Sequence, residues 1–175
     1  DIEGTSYNDN LKIDQFLIKE ENDLIKVVEL KLNKFFRIKS FKNIEVNFFD
    51  RDKVKNDFKA YKEKKNYFLE GSSLNADNLI ENLLLKDDAN KIIFDDKFKF
   101  KINLKKVYFD KDNFIKVFTG DLTLFDQKII SANLSGNFLQ DKKITYTVKN
   151  LSKNKRVATL LLDNAEPLVK RYKFI

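Results

Sequence analysis

The sequence predicts an α+β fold, with helices mainly in the first half and a twisted antiparallel β-meander or partly closed barrel in the second. Three observations carry this. Apolar residues in the first half recur at spacings of three and four among dense charges, whereas from Lys91 onward they alternate with polar residues at a period of two. Helices and strands are segregated, without the alternation that builds a doubly wound sheet, and no GxGxxG or Walker A run revives that architecture. A length of 175 residues favours one domain, read as an N-terminal tether over residues 1–8 and a single α+β domain over residues 9–175.

Residues 1–8 are polar and read as a tether. Over residues 9–21, Leu11, Ile13, Phe16, Leu17 and Ile18 are interrupted by charges, and Asn8 or Asp9 supplies a cap, which predicts a helix. Residues 24–38 alternate at Val28, Leu30 and Leu32 and are rich in β-branched and aromatic side chains, so a strand is preferred. A turn over residues 40–43 then leads to a second strand over 44–49. One continuous helix over 9–36 is the alternative, because Ile18, Ile25 and Leu32 also fit a heptad. Val54, Phe58 and Tyr61 form one apolar stripe on a charged segment and predict a helix over 51–65. Gly71-Ser72-Ser73 breaks the chain. Ser73 or Asn75 then caps a helix that carries Leu79, Ile80, Leu83 and Leu84 and ends near Asp87-Asp88.

The second half reads as strands. Phe98, Phe100, Ile102 and Leu104 alternate with Lys97, Lys99, Lys101, Asn103 and Lys105, and a slip at Lys105-Lys106 predicts a bulge before Val107 and Phe109. A turn at 110–113 precedes a strand over 114–125, and Asp126-Gln127 turns into another over 128–138. Ile144, Tyr146 and Val148 mark the next. A polar loop separates it from a strand over 157–162, and Pro167 opens a short terminal segment. Short strands between polar turns predict an antiparallel meander.

Composition removes whole chemistries. The chain has no His and no Cys, so imidazole, thiolate and Cys/His zinc chemistry are excluded. No catalytic residue, metal site or cofactor is predicted. Met is absent too, including at position 1, which predicts a segment removed upstream, either a signal peptide or an arbitrary boundary. No stretch of about 18 uncharged apolar residues is present to cross a membrane as a helix. Of the 34 basic residues 30 are Lys and 4 are Arg. Arg is the usual reader of phosphate and base edges, so nucleic acid is disfavoured as a partner.

The charge is uneven. Residues 1–90 hold 16 basic and 18 acidic side chains, a net of −2, and residues 91–175 hold 18 and 9, a net of +9, recovering the total of +7. The basic second half therefore points to an anionic partner. Its clearest feature is a lysine ladder, Lys97, Lys99, Lys101 and Lys105, projecting from one face of a strand whose other face is apolar. Lys142, Lys143, Lys149, Lys153, Lys155 and Arg156 are expected to extend the same field, giving ten candidate residues for binding a polyanion or an acidic protein. The plain counter-reading is a solvated face whose lysines protect a sheet edge.

Other patterns carry less. Ser152 and Lys155 match S-x-x-K, but lysine is frequent, the companion elements are missing and the segment reads as a loop. The carboxylate pairs Asp50/Asp52, Asp87-Asp88, Asp95-Asp96 and Asp110/Asp112 fall at element ends, where Asp caps backbone. Phe94, Phe98, Phe100, Phe109, Phe114, Phe118, Phe125 and Phe138 either form a core or line a barrel that holds a hydrophobic ligand.

A chain rich in Asn, Lys, Ile and Phe, free of Cys and dense in surface charge resembles the mature, signal-stripped part of a spirochaetal (Borrelia-type) outer-surface lipoprotein. The resemblance implies export, lipid anchoring through a Cys upstream of Asp1, a location at the cell surface or outer membrane, and a non-enzymatic role in binding a host or envelope component. A hydrophobic-ligand carrier in the envelope is the alternative.

Overall fold

The chain forms one mixed sheet that runs through both halves. The computed structural model describes residues 2–7, 10–84, 94–125, 128–152 and 155–172. In the first half lie β1 (Ile2–Tyr7), β2 (Asn10–Glu20), β3 (Asp23–Leu32), β4 (Ile38–Ser40), β5 (Asn43–Phe49), β6 (Lys55–Glu63) and β7 (Asn66–Asn75), followed by helix α1 (Asp77–Leu84). The second half contributes β8 (Phe98–Tyr108), β9 (Phe114–Phe125), β10 (Lys128–Asn137), β11 (Lys143–Ser152), β12 (Lys155–Leu162) and helix α2 (Glu166–Tyr172). The strands follow one path from β1 to β12 in chain order, with β4 set aside on β3. Every neighbouring pair is antiparallel except β7 and β8, which are parallel. Two antiparallel meanders are thus joined at the centre by the crossover that contains α1.

This overturns the α+β expectation of helices mainly in the first half and a separate meander or partly closed barrel in the second. Where helices were expected over 9–21 and 51–65 the chain forms the strands β2 and β6. The physical reason is clearest in β6. Its inner face is Asn56, Phe58 and Ala60, and Asn56 is only 5% exposed. A buried polar residue at that position hid the period of two. Phe58 and Tyr61, three apart, lie on opposite faces, as residues of a strand must. In β2 the two-residue turn at Glu21 and Asn22, with Glu21 at φ 46°, closes a hairpin on β3. That non-local pairing overrides the helical spacing. Residues 2–7, expected as a tether, pair with β2. The strand expected over 24–38 ends at Leu32, where Asn33 turns the chain into β4.

The helix expected after Ser73 is α1, and the Asn75 side chain accepts from the Asp77 amide at 3.1 Å to cap it. The end expected near Asp87-Asp88 lies outside the described residues. The break in alternation at Lys105-Lys106 shifts no register against β9, but Val117 opposite is held at φ 49°.

The inner face of the sheet carries the core. Phe98, Phe100, Ile102 and Leu104 of β8 meet Tyr67 and Leu69 of β7 and Leu122 and Leu124 of β9. Phe98 is fully buried, with the rings of Phe94 and Tyr67 at 4.6 and 4.7 Å and those of Phe100 and Phe41 at 5.9 and 6.2 Å. A smaller cluster packs Leu168 of α2 onto Phe109, Phe138 and Ile144. Phe98, Phe100, Phe109 and Phe138, nominated as a possible ligand lining, are thus packed against one another and their neighbours.

Candidate functional site

A cleft of about 890 Å³ has a lining dominated by lysine. Register explains how it is built. Lys12 of β2 lies directly opposite Lys31 of β3, and Lys31 lies opposite Ser40 of β4. These residues and Lys39 form one wall. The other wall is the tight turn between β6 and β7, where Glu63 pairs with Asn66 and Lys64 adopts φ 54°, bringing Lys62, Lys64 and Lys65 to the rim. Asp96 and Lys97 approach from the start of β8, and Leu11, Tyr67 and Phe125 add apolar surface.

Seven lysines therefore line the cleft against one carboxylate, Asp96. Lys12 is ion-paired with Asp14, which raises its pKa chiefly through their hydrogen bond. Lys62 sits 5.6 Å from the Tyr67 ring centroid. Among the described residues, Lys31, Lys39, Lys64, Lys65 and Lys97 take part in no ion pair. Burial pushes the Tyr67 hydroxyl above its ordinary value, a backbone hydrogen bond at Phe41 opposes this, and the Asp96 carboxylate adds to the rise. Tyr67 stays a neutral phenol at the cleft. Like charges directly opposite in a sheet are destabilising, and for Lys12 against Lys31 the cost is offset in part by the ion pair of Lys12 with Asp14.

The sequence-nominated residues do not converge on this site. Lys97 alone lines it. Lys99, Lys101 and Lys105 are exposed on the outer face of β8, as the alternation requires. That strand is central to the sheet, so its lysines protect no edge. Lys101 also lies opposite Asp121 of β9, which dilutes the ladder's field. Lys142, Lys143 and Lys149 are exposed at and along β11. Three strand spacings separate β8 from β11, about 14 Å, and the strands between show Thr119, Thr123, Ser131, Asn133 and Ser135. Lys155 and Arg156 open β12, and the Arg156 guanidinium donates to the Ile129 carbonyl at 2.7 Å. Lys153 lies outside the described residues.

Six of the seven cleft lysines come from residues 12–65, in the half with the net negative charge. The only local signal was the run Lys62-Glu63-Lys64-Lys65; the rest depends on register. The carboxylate pairs do structural work. Asp50 and Asp110 accept backbone amides within their own turns, and Asp95 accepts from Asn33 and lies near Arg37. Asp87-Asp88 lies outside the described residues. No family model, no curated protein and no solved structure matches this chain.

Proposed function

We propose that this chain is a non-enzymatic, cell-surface or envelope binding protein that holds a polyanionic glycan in the lysine-lined cleft. The observation that carries the reading is the opposition of Lys12 and Lys31 in register with five further lysines around them and a single carboxylate. Lysines gathered around a cleft with few ion-pair partners are what an anionic ligand repays. The cations are all ammonium groups, point charges without the planar fork that reads phosphate or bases bidentately, which favours dispersed sulfate or carboxylate groups over nucleic acid. Concavity favours a polymer chain over a flat lipid surface, and the apolar patches of Leu11, Tyr67 and Phe125 suit sugar ring faces. Export and lipid anchoring rest on the composition and on the lipoprotein resemblance.

Calorimetric titration with a sulfated oligosaccharide tests this. Replacing Lys31, Lys39, Lys64 and Lys65 together with Gln removes four ionic contacts of about 0.2–1 kcal/mol each, an affinity loss of about fourfold to nearly a thousandfold. Binding should weaken steeply with added salt. Replacing Lys99, Lys101 and Lys105 with Gln should change affinity far less. Equal losses in both variants would overturn the cleft as the site.

A further inference from the structure

The sheet ends at β12, which pairs with β11 and, among the described residues, with nothing else. Nearly all of this strand, from Lys155 to Leu161, is exposed. It carries aliphatic side chains on both faces: Leu160 on the inner face is 45% exposed, and Val157 and Leu161 on the outer face are 40% and 63% exposed. The Asp163 amide donates to the Lys143 carbonyl at 3.0 Å. By alternation Thr159 and its odd-numbered neighbours turn their backbone groups towards β11, and the amides and carbonyls of Arg156, Ala158, Leu160 and Leu162 point to the open edge. Such an edge is a template for another strand.

The sequence of this edge is complementary to itself. Laid antiparallel on a second copy about a two-fold axis through Thr159, Ala158 meets Leu160, Val157 meets Leu161, and Lys155 meets Asp163, each pair occurring twice. The outward backbone groups then fall opposite one another: Arg156 pairs with Leu162 and Ala158 with Leu160. The basic end of each strand lies against the acidic end of its partner. This single register satisfies the backbone ladder, the aliphatic faces on both sides and the charges together.

We propose that β12 is an isologous dimerisation edge, joining two copies of this chain into one continuous sheet through antiparallel β12–β12 pairing centred on Thr159. The two-fold contact is closed: it covers the β12 edge of both copies, so this pairing does not itself propagate. It is independent of the glycan reading, since none of the cleft residues belongs to β12.

The chain contains no Cys, so single-cysteine variants report the register directly. Thr159 at the axis is a non-hydrogen-bonded pair with its own copy, with Cβ atoms about 4.5–5.5 Å apart and within reach of a disulfide. Thr159→Cys should form a covalent dimer under mild oxidation, while Val157→Cys and Leu161→Cys alone, each facing the other position, should not. Sedimentation equilibrium of the unmodified chain should show monomer and dimer without larger species. Ala158→Pro removes an outward amide and should weaken dimerisation at least tenfold while circular dichroism stays native. A chain that stays monomeric up to about 1 mM, cross-linking of all three cysteine variants alike, or growth into open polymers would each overturn the proposal.

Discussion

Asp50 offers the sharpest test of how the first meander is held. Its Oδ1 accepts the amides of Asp52 and Val54 at 3.0 and 2.9 Å, and its Oδ2 accepts the side-chain amides of Asn56 and Asn75 at 3.3 and 2.7 Å. Asn56 in turn accepts the Asn75 amide at 2.8 Å. One carboxylate thus ties the turn between β5 and β6 to the end of β7, where Asn75 caps α1. Val54 and Asn56 are both 5% exposed. In Asp50→Ala their donors lose this partner, each costing about 1–3 kcal/mol, so the expected loss is about 2–6 kcal/mol, a large share of the typical stability of a domain. Urea unfolding followed by circular dichroism measures it.

The same carboxylate sets a pH dependence. Burial is the largest single influence and pushes the Asp50 pKa up, but the hydrogen bonds from Asn75, Val54, Asn56 and Asp52 together outweigh it and hold the pKa below the usual value. A carboxyl with a depressed folded pKa contributes stability above its unfolded value, near 3.9, and loses it as pH falls through the folded value. The acid limb of the stability profile should therefore be shallower in Asp50→Asn than in the unaltered chain. A loss under about 1 kcal/mol in Asp50→Ala, or an unchanged acid limb in Asp50→Asn, would refute the reasoning.

Two further substitutions test the packing of the sheet. Phe98, fully buried among four rings, should cost about 3–5 kcal/mol as Ala, whereas Phe36, 74% exposed and held at φ 58°, should gain up to about 1 kcal/mol as Gly; chemical denaturation of both reads the contrast. At Gly120, φ is 140° and an added Cβ would meet the Asn133 carbonyl oxygen at 2.0 Å, so Gly120→Ala should unfold the second meander or lower its melting temperature by many degrees, whereas a native melting curve would contradict the close approach of β9 and β10.

Legibility differed between the halves for a reason of burial. In β8 the inner positions are Phe98, Phe100, Ile102 and Leu104 and the outer ones are mostly lysine, so the pleat is written in the sequence. The edges of β9 were equally plain, because Asp110–Asn113 and Asp126-Gln127 are strong turn sequences. In β6 the inner row includes Asn56, and in β2 Leu11, Ile13, Phe16 and Leu17 change parity between Ile13 and Phe16. Neither strand shows its period, and spacings of three and four arise by coincidence over so few residues. The parallel joining of β7 and β8 was illegible for a different reason. It depends on how the chain passes from the end of β7 to the start of β8, and no local pattern encodes that.

The same distinction governs the candidate site. Charge summed along the chain pointed to the second half, yet a sum says nothing about which charges neutralise one another. Several acids of the first half are engaged: Asp14 with Lys12, Glu29 with Lys42, Glu45 with Lys59 and Asp77 with Arg171 as ion pairs, and Asp57 with Ser72 and Asp50 within its own turn as hydrogen bonds. Lys31, Lys39, Lys64 and Lys65, left without such partners among the described residues, lie where β3, β4 and the turn between β6 and β7 converge. In the second half the excess is larger, but β8 sets Lys101 beside Asp121 and Lys106 opposite Lys116, and a face of mostly hydroxyl and amide side chains separates these from the lysines of β11. Where charges stand in register, and not their sum along the chain, thus decides which surface gathers lysines.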